Sequence, residues 1–134
     1  MHSFIHLDGE LKKSITKSPN TDTSVLSVLS HDDWWVVRWN LARHPNAPVD
    51  VLVRLSGDDD YDAIYAIAEN PNTPTKILDE LSYKCNGMVK TKLIKNKNTP
   101  IDTIVRLSKK DDNIFIRRLA KNELKRRKNE RTNI

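Results

Sequence analysis

The sequence predicts an all-α fold built as a solenoid, and three observations carry that prediction. Four consecutive 26-residue blocks, 18–43, 44–69, 70–95 and 96–121, follow one another without a gap. Each block carries two short apolar runs at helical spacing, and each opens on a polar loop rich in Asn and Pro. A repeat of this size cannot bury an apolar face alone and must stack on its neighbours, which yields an extended surface rather than a pocket. Such a surface suits binding better than catalysis.

The opening loops are Ser18-Pro19-Asn20-Thr21, His44-Pro45-Asn46-Ala47, Asn70-Pro71-Asn72-Thr73 and Asn96-Lys97-Asn98-Thr99. Pro48, Pro74 and Pro100 follow at the fifth place and fit the first helical position, where the missing N–H costs nothing. Thr73 and Thr99 are then predicted as N-caps of the first helix. The asparagine at the third place, Asn20, Asn46, Asn72 and Asn98, either forms the turn or hydrogen-bonds backbone between successive loops; turn formation is the favoured role. His44 replaces the loop asparagine and is read as structural.

The first helix of each block buries Leu26 with Leu29, Leu52 with Leu55, Leu78 with Leu81, and Ile104 with Leu107, a three-residue spacing that marks one face. Ser30, Ser56, Ser82 and Ser108 are predicted to close it. Asp33, Asp59 and Asp111 are placed to cap the second helix. That helix carries apolar pairs four apart, Val37 and Leu41, Ala63 and Ile67, Val89 and Leu93, Phe115 and Leu119, followed by Ala42, Ala68, Ile94 and Ala120. Helices of about nine or ten residues are marginal alone, because isolated helices need about 12 to 15, so stacking must stabilise them.

Ahead of the first block, Leu11 and Ile15 share the register of the second-helix pair, so residues 10–17 read as half a repeat that caps the open end. The repeat domain is therefore predicted over 1–121. Residues 122–134 form a basic C-terminal segment around Lys125-Arg126-Arg127-Lys128, without apolar periodicity, expected as a solvated helix or a loose tail.

The Asn-Pro-Asn-Thr-Pro loops followed by Leu-x-x-Leu, an acidic loop and a second helix resemble the leucine-rich repeat variant family across residues 18–121. The resemblance implies a right-handed superhelix of alternating short helices, hence a right-handed α-helical solenoid of four repeats with an N-terminal half-repeat cap. It implies no activity. The repeats here are longer than the family's usual ones, and the cysteine-rich iron–sulfur segment that can precede such repeats is lacking, so no cluster is expected.

Composition narrows the function classes. A hydrophobic content of 37% with no apolar run near the roughly 20 residues of a membrane span makes neither a membrane segment nor a secretory leader expected. The single Cys85 excludes an internal disulfide or a multi-cysteine metal site, and predicts a reducing, cytoplasmic setting with no chemical role for the thiol. His2 and His6, four apart, lack a third ligand. Asp58-Asp59-Asp60-Tyr61-Asp62 lacks the glycine and terminal glutamate of a calcium loop and is read as a solvated, helix-capping turn. With three glycines in the chain, no phosphate-binding loop and no Ser-His-Asp set in a recognisable context, no catalytic residue, metal or cofactor is predicted.

Two variable surfaces remain. Trp35 and Trp39 in the first repeat and Tyr61 and Tyr65 in the second stand four apart on one helical face, with Trp39 and Tyr65 about 200° from the core position, so that the rings are expected outside the main apolar stripe. They either fill the seam between second helices or form a binding strip. Charge is also segregated: repeat two is −5 (six acids, one base), repeats three and four are +3 and +4, and the last thirteen residues add +3. Lys90, Lys92, Lys95, Arg117, Arg118 and Lys121, continued by Lys125, Arg126 and Arg127, form a candidate phosphate-contacting stripe, or an ordinary solvent coat. The leading expectation is a non-catalytic module that binds a protein partner through Trp35, Trp39, Tyr61 and Tyr65. The alternative is a nucleic-acid-binding repeat protein acting through the basic stripe, whose weakness as a single-strand reader is that the aromatics accompany the acids.

Overall fold

The protein was analysed as a computed structural model that describes residues 8–132. His2 and His6 lie outside the described residues. Among those residues there are nine α-helices and no strand: α1 Gly9–Lys17, α2 Thr23–Leu29, α3 Trp35–Ala42, α4 Val49–Leu55, α5 Tyr61–Glu69, α6 Thr75–Lys84, α7 Gly87–Lys95, α8 Ile101–Lys110 and α9 Ile114–Thr132. They belong to two compact units, Met1–Thr73 and Pro74–Ile134. In the first unit α3 packs against both α1 and α5, and α2 and α4 lean on one another and on α3. In the second unit α6 packs on α7 and α8, while α9 packs on α7 and α8.

The predicted first-helix core is in place, with all eight of its residues, from Leu26 to Leu107, at most 1% exposed. The second-helix pairs of the first three blocks are equally buried. The fourth is not: Phe115 is 72% exposed and Leu119 half-buried, while Ile116 and Ala120 take the core places. The cause is one residue of extra length. Helices α3, α5 and α7 begin at the eighteenth place of their blocks, whereas ten-residue α8 is followed by three loop residues and α9 begins at the nineteenth. In the third block, α6 is also ten residues long, but its loop is only Cys85-Asn86, so α7 keeps its register. The N-terminal half-repeat is corrected likewise: Leu11 is 48% exposed, and Lys12 and Thr16 are the buried residues of α1. They face α3, where Asn40 Nδ2 donates to Thr16 Oγ1 at 3.3 Å. The Trp34 ring covers α1 so closely that a Cβ on Gly9 would come within 3.0 Å of it.

The loop prolines and threonines act differently from the prediction. Pro48, Pro74 and Pro100 are themselves the residues preceding the first helical turn. Thr73 and Thr99, which precede two of these prolines, and Thr21 at the same place of the first block face backwards onto the preceding helix: Thr21 Oγ1 donates to Ile15 O at 2.6 Å, Thr73 Oγ1 to Ile67 O at 2.7 Å, and Thr99 Oγ1 to Leu93 O. Each is a second donor to a last-turn carbonyl that also accepts the C-cap N–H, which strengthens the end of a short helix. Of the four serines, Ser30 and Ser56 close α2 and α4, but Ser82 and Ser108 lie inside α6 and α8. All four hydroxyls donate to the carbonyl three residues earlier, at 2.5–2.6 Å.

The loops of the first unit are tied to one another at a period of about one repeat. Asn46 Nδ2 donates to Pro19 O and Asn72 Nδ2 to Pro45 O, each at 2.6 Å, so the third-place asparagine bridges loops rather than merely turning the chain. The turn itself is set by the first-place residue, whose side chain accepts the backbone N–H two residues on: His44 Nδ1 from Asn46, Asn70 Oδ1 from Asn72, and Asn96 Oδ1 from Asn98 in the second unit. The same residues donate backwards. His44 Nε2 donates to Ser18 O at 2.7 Å, and Asn70 Nδ2 donates to Ala42 O at 2.9 Å and His44 O at 3.3 Å. A carbonyl can only accept and an amide N–H only donate, so the imidazole carries its proton on Nε2. It thereby imitates an asparagine amide. Among the described residues, no buried side-chain nitrogen or oxygen lacks a partner.

This mimicry predicts that His44→Asn folds with stability within about 1 kcal/mol of the parent, whereas His44→Ala, which removes both hydrogen bonds of the buried side chain, costs about 1–3 kcal/mol. Urea unfolding of both variants checks it; equal loss in the two would refute the assigned role.

Candidate functional site

The inter-helix loops are held by ion pairs built on one pattern. Asp32, Asp58 and Asp111 each accept a backbone N–H two residues on through Oδ1, from Trp34, Asp60 and Asn113 at 2.8–2.9 Å. Through Oδ2 each accepts a cation 20 or 21 residues upstream: Lys12 to Asp32 at 2.6 Å, Arg38 to Asp58 at 2.8 Å, and Lys90 to Asp111 at 2.5 Å. Arg38 and Arg117 also donate to the backbone carbonyls of Asp32 and Asp111. None of the expected Asp33, Asp59 and Asp111 caps a second helix: Asp111 ends α8, and Asn113 Oδ1 accepts the Phe115 N–H at the start of α9. Trp34 precedes α3 without a side-chain cap, and Asp60 caps α5 by accepting from the Asp62 N–H. In the first unit, Asp32 and the Arg38–Asp58 pair line a polar cleft of about 350 Å³ together with Arg54, which donates to Ser30 O. Its charges are largely committed to structure.

The aromatic candidates lie in the first unit, on the adjacent helices α3 and α5. Trp35 opens α3 and is 44% exposed; Trp39, one turn on, is half-buried. Their ring centroids are 6.4 Å apart at 55°, and the Arg43 guanidinium stands 4.3 Å over the Trp39 ring. Tyr61 opens α5 at the same repeat position and is 60% exposed, with Tyr65 half-buried behind it. Trp35 and Tyr61 thus face solvent, whereas Trp39 and Tyr65, expected outside the apolar stripe, are the half-buried rings. This unit holds six Lys and Arg against eleven Asp and Glu, net −5.

The second unit is the opposite, with seventeen bases against seven acids, net +10. Its nine predicted phosphate-contacting cations do not share one role. Lys90 and Arg117 hold Asp111, as described. The segment expected after residue 121 is helical through Thr132, and part of it docks. Glu123, 7% exposed, accepts from Arg126 Nη2 at 2.6 Å and Arg127 Nε at 2.9 Å. Arg127 in turn donates to Thr99 O at 2.8 Å and Asn96 O at 2.9 Å, and Arg126 also holds Glu130. Lys92 is half-buried, and Lys95, Arg118, Lys121 and Lys125 are exposed. The sequence reading missed Lys128, also exposed, and the solvent position of Phe115.

Burial pushes the carboxyls of Asp111 and Glu123 up, but their partners outweigh it. Lys90, the Asn113 amide and Arg117 hold Asp111 below the ordinary carboxylate value, and Arg126 with Arg127 do the same for Glu123. Burial pushes the Cys85 thiol up, against the opposing charges of Lys84 and Lys90. Among the described residues no helix is long and apolar enough to cross a membrane.

Short helices in a 26-residue period, with loops bonded to the loop before, define a helical repeat protein. The leucine rich repeat variant family model matches residues 35–60, from Trp35 through the acidic loop, one repeat length within the 18–121 over which the resemblance was read. No curated protein and no solved structure matches the chain.

Because Asp111 and Glu123 release protons more readily folded than unfolded, their stabilisation is complete above their unfolded values, 3.8 and 4.5, and is lost as pH falls through the lower folded values. Thermal melts from pH 7 to 2 are expected to show falling stability below about pH 4, with a shallower fall in Asp111→Asn. An unchanged profile in that variant would contradict the pairing.

Proposed function

We propose that the protein is a non-catalytic binding module whose repeats form a right-handed solenoid, and that the face of α3 and α5 in its first unit docks a protein partner. The observation that carries this reading is the placement of Trp35 and Tyr61. Both stand at the first position of a second helix, exposed over a half-buried ring, in a unit of net charge −5. A large aromatic that is not needed to fill the core, backed by a fixed ring, offers a rigid anchor at low entropic cost, and such residues dominate interface energetics. The surrounding acids favour a partner segment that pairs apolar or aromatic groups with Lys or Arg. The non-enzymatic reading is supported by the committed charges of the loop cleft and by the thiol of Cys85, which burial makes a poorer nucleophile. A single cysteine fits a reducing, cytoplasmic setting.

Panning the intact protein against a random peptide library tests the proposal. Enriched peptides are expected to carry Lys or Arg beside apolar residues. Trp35→Ala with Tyr61→Ala is expected to weaken them roughly 30-fold or more, the effect of losing a hot spot, with the melting temperature nearly unchanged because both rings are exposed. Equal binding by the folded double variant would remove the site.

A further inference from the structure

Helix α9 has two unlike sides. Its packed side carries Ile116, Ala120 and Glu123, with Arg127 half-buried next to them. At about 100° per residue, Arg118, Lys121, Lys125 and Lys128 fall within an arc of about 80° on the other side, spaced three, four and three residues apart over about 15 Å. All four are exposed. Both acids within the helix lie off this arc and are held by Arg126. Ile114, 54% exposed, stands on the same arc at its N-terminal end, and Phe115, 72% exposed, lies about 60° to one side of it, one turn before Arg118. The one-residue shift of the fourth repeat places that ring in solvent; in the register of the other repeats it would be core.

We infer that this outer face of α9 is a contact site for single-stranded nucleic acid, with Phe115 stacking on one base and the four cations following the phosphates of the same strand. A continuous row of four cations without an intervening acid is a track for a polyanion. An exposed aromatic at the head of the track distinguishes an unpaired strand, whose base faces are open, from a duplex or an anionic membrane, which offers no base to stack on. The site draws on neither the aromatic residues of α3 and α5 nor the protein-binding role proposed for them, so either can stand without the other.

The test is fluorescence anisotropy of the full chain with labelled 12-nucleotide poly-dT and poly-rU from 50 to 300 mM KCl, beside a 12-base-pair duplex and phosphatidylserine vesicles. Four phosphate contacts on a single strand predict that log K falls against log salt with a slope of about −2.8, and each single Lys→Ala or Arg→Ala change on the stripe should lower its magnitude by about 0.7. Phe115→Ala should weaken single-strand binding about 5- to 150-fold and leave the slope unchanged, a separation that general charge attraction does not produce. Circular dichroism melts verify that these exposed-site variants fold. Absence of binding at 50 mM KCl, or full binding by the folded four-cation variant, would overturn the proposal. So would a duplex or vesicle bound as tightly as the single strand, with Phe115→Ala silent.

Discussion

The structure depends on satisfying the ends of very short helices. A helix leaves its first four N–H and last four C=O groups without intrahelical partners, and α2 and α4 are only seven residues long. In such elements the ends outweigh the middle, so stability requires that side chains and neighbouring loops take over backbone hydrogen bonding that a long helix would supply itself. The threonine hydroxyls directed at carbonyls six residues earlier, the serine hydroxyls directed three residues back, and the loop asparagines reaching into the preceding loop all answer that one constraint. Apolar stacking supplies the drive for the repeats to associate, while the polar ladder sets the distance and register at which they do so.

The same constraint explains what substitutes for what. His44 occupies an asparagine position because an imidazole with its proton on Nε2 presents a donor and an acceptor on opposite edges, as a carboxamide does. Near the end of the second unit, Arg127 donates to the carbonyls of Asn96 and Thr99 from a helix rather than from a loop, and buried Glu123 fixes it in place. A guanidinium with five donors serves two carbonyls and a carboxylate at once.

The repeat period, the first-helix core and three of four second-helix pairs were legible because packing demands the same residue type at the same place in every block. Register was legible only where the first helix and the loop after it kept their combined length. The offset in the fourth repeat had a visible trace, Asp111 at the sixteenth place where Asp32 and Asp58 occupy the fifteenth, but its meaning depends on knowing that these aspartates are partners of Lys90, Lys12 and Arg38. Hydrogen-bond direction was not legible at all. A threonine before a proline has the composition of an N-cap, and only the position of the preceding helix end shows that its hydroxyl is turned the other way.

Charge is where sequence patterning misleads most, because structural and available cations look alike in one dimension. Lys90, Arg117 and Arg127 are bound to carboxylates or backbone carbonyls, and Arg126 neutralises two glutamates, so replacing them would disturb the fold and the surface together. Arg118, Lys121, Lys125 and Lys128 lie on the side of α9 that packs on nothing in its own unit, and the fold asks nothing of them. A repeat protein that already holds its loops with buried pairs has no structural need for a second, acid-free row of four cations headed by an exposed phenylalanine. That surplus, rather than the net charge of the unit, singles the face out. It also separates stability from binding, since the residues that would read a ligand are not those that keep the helix docked.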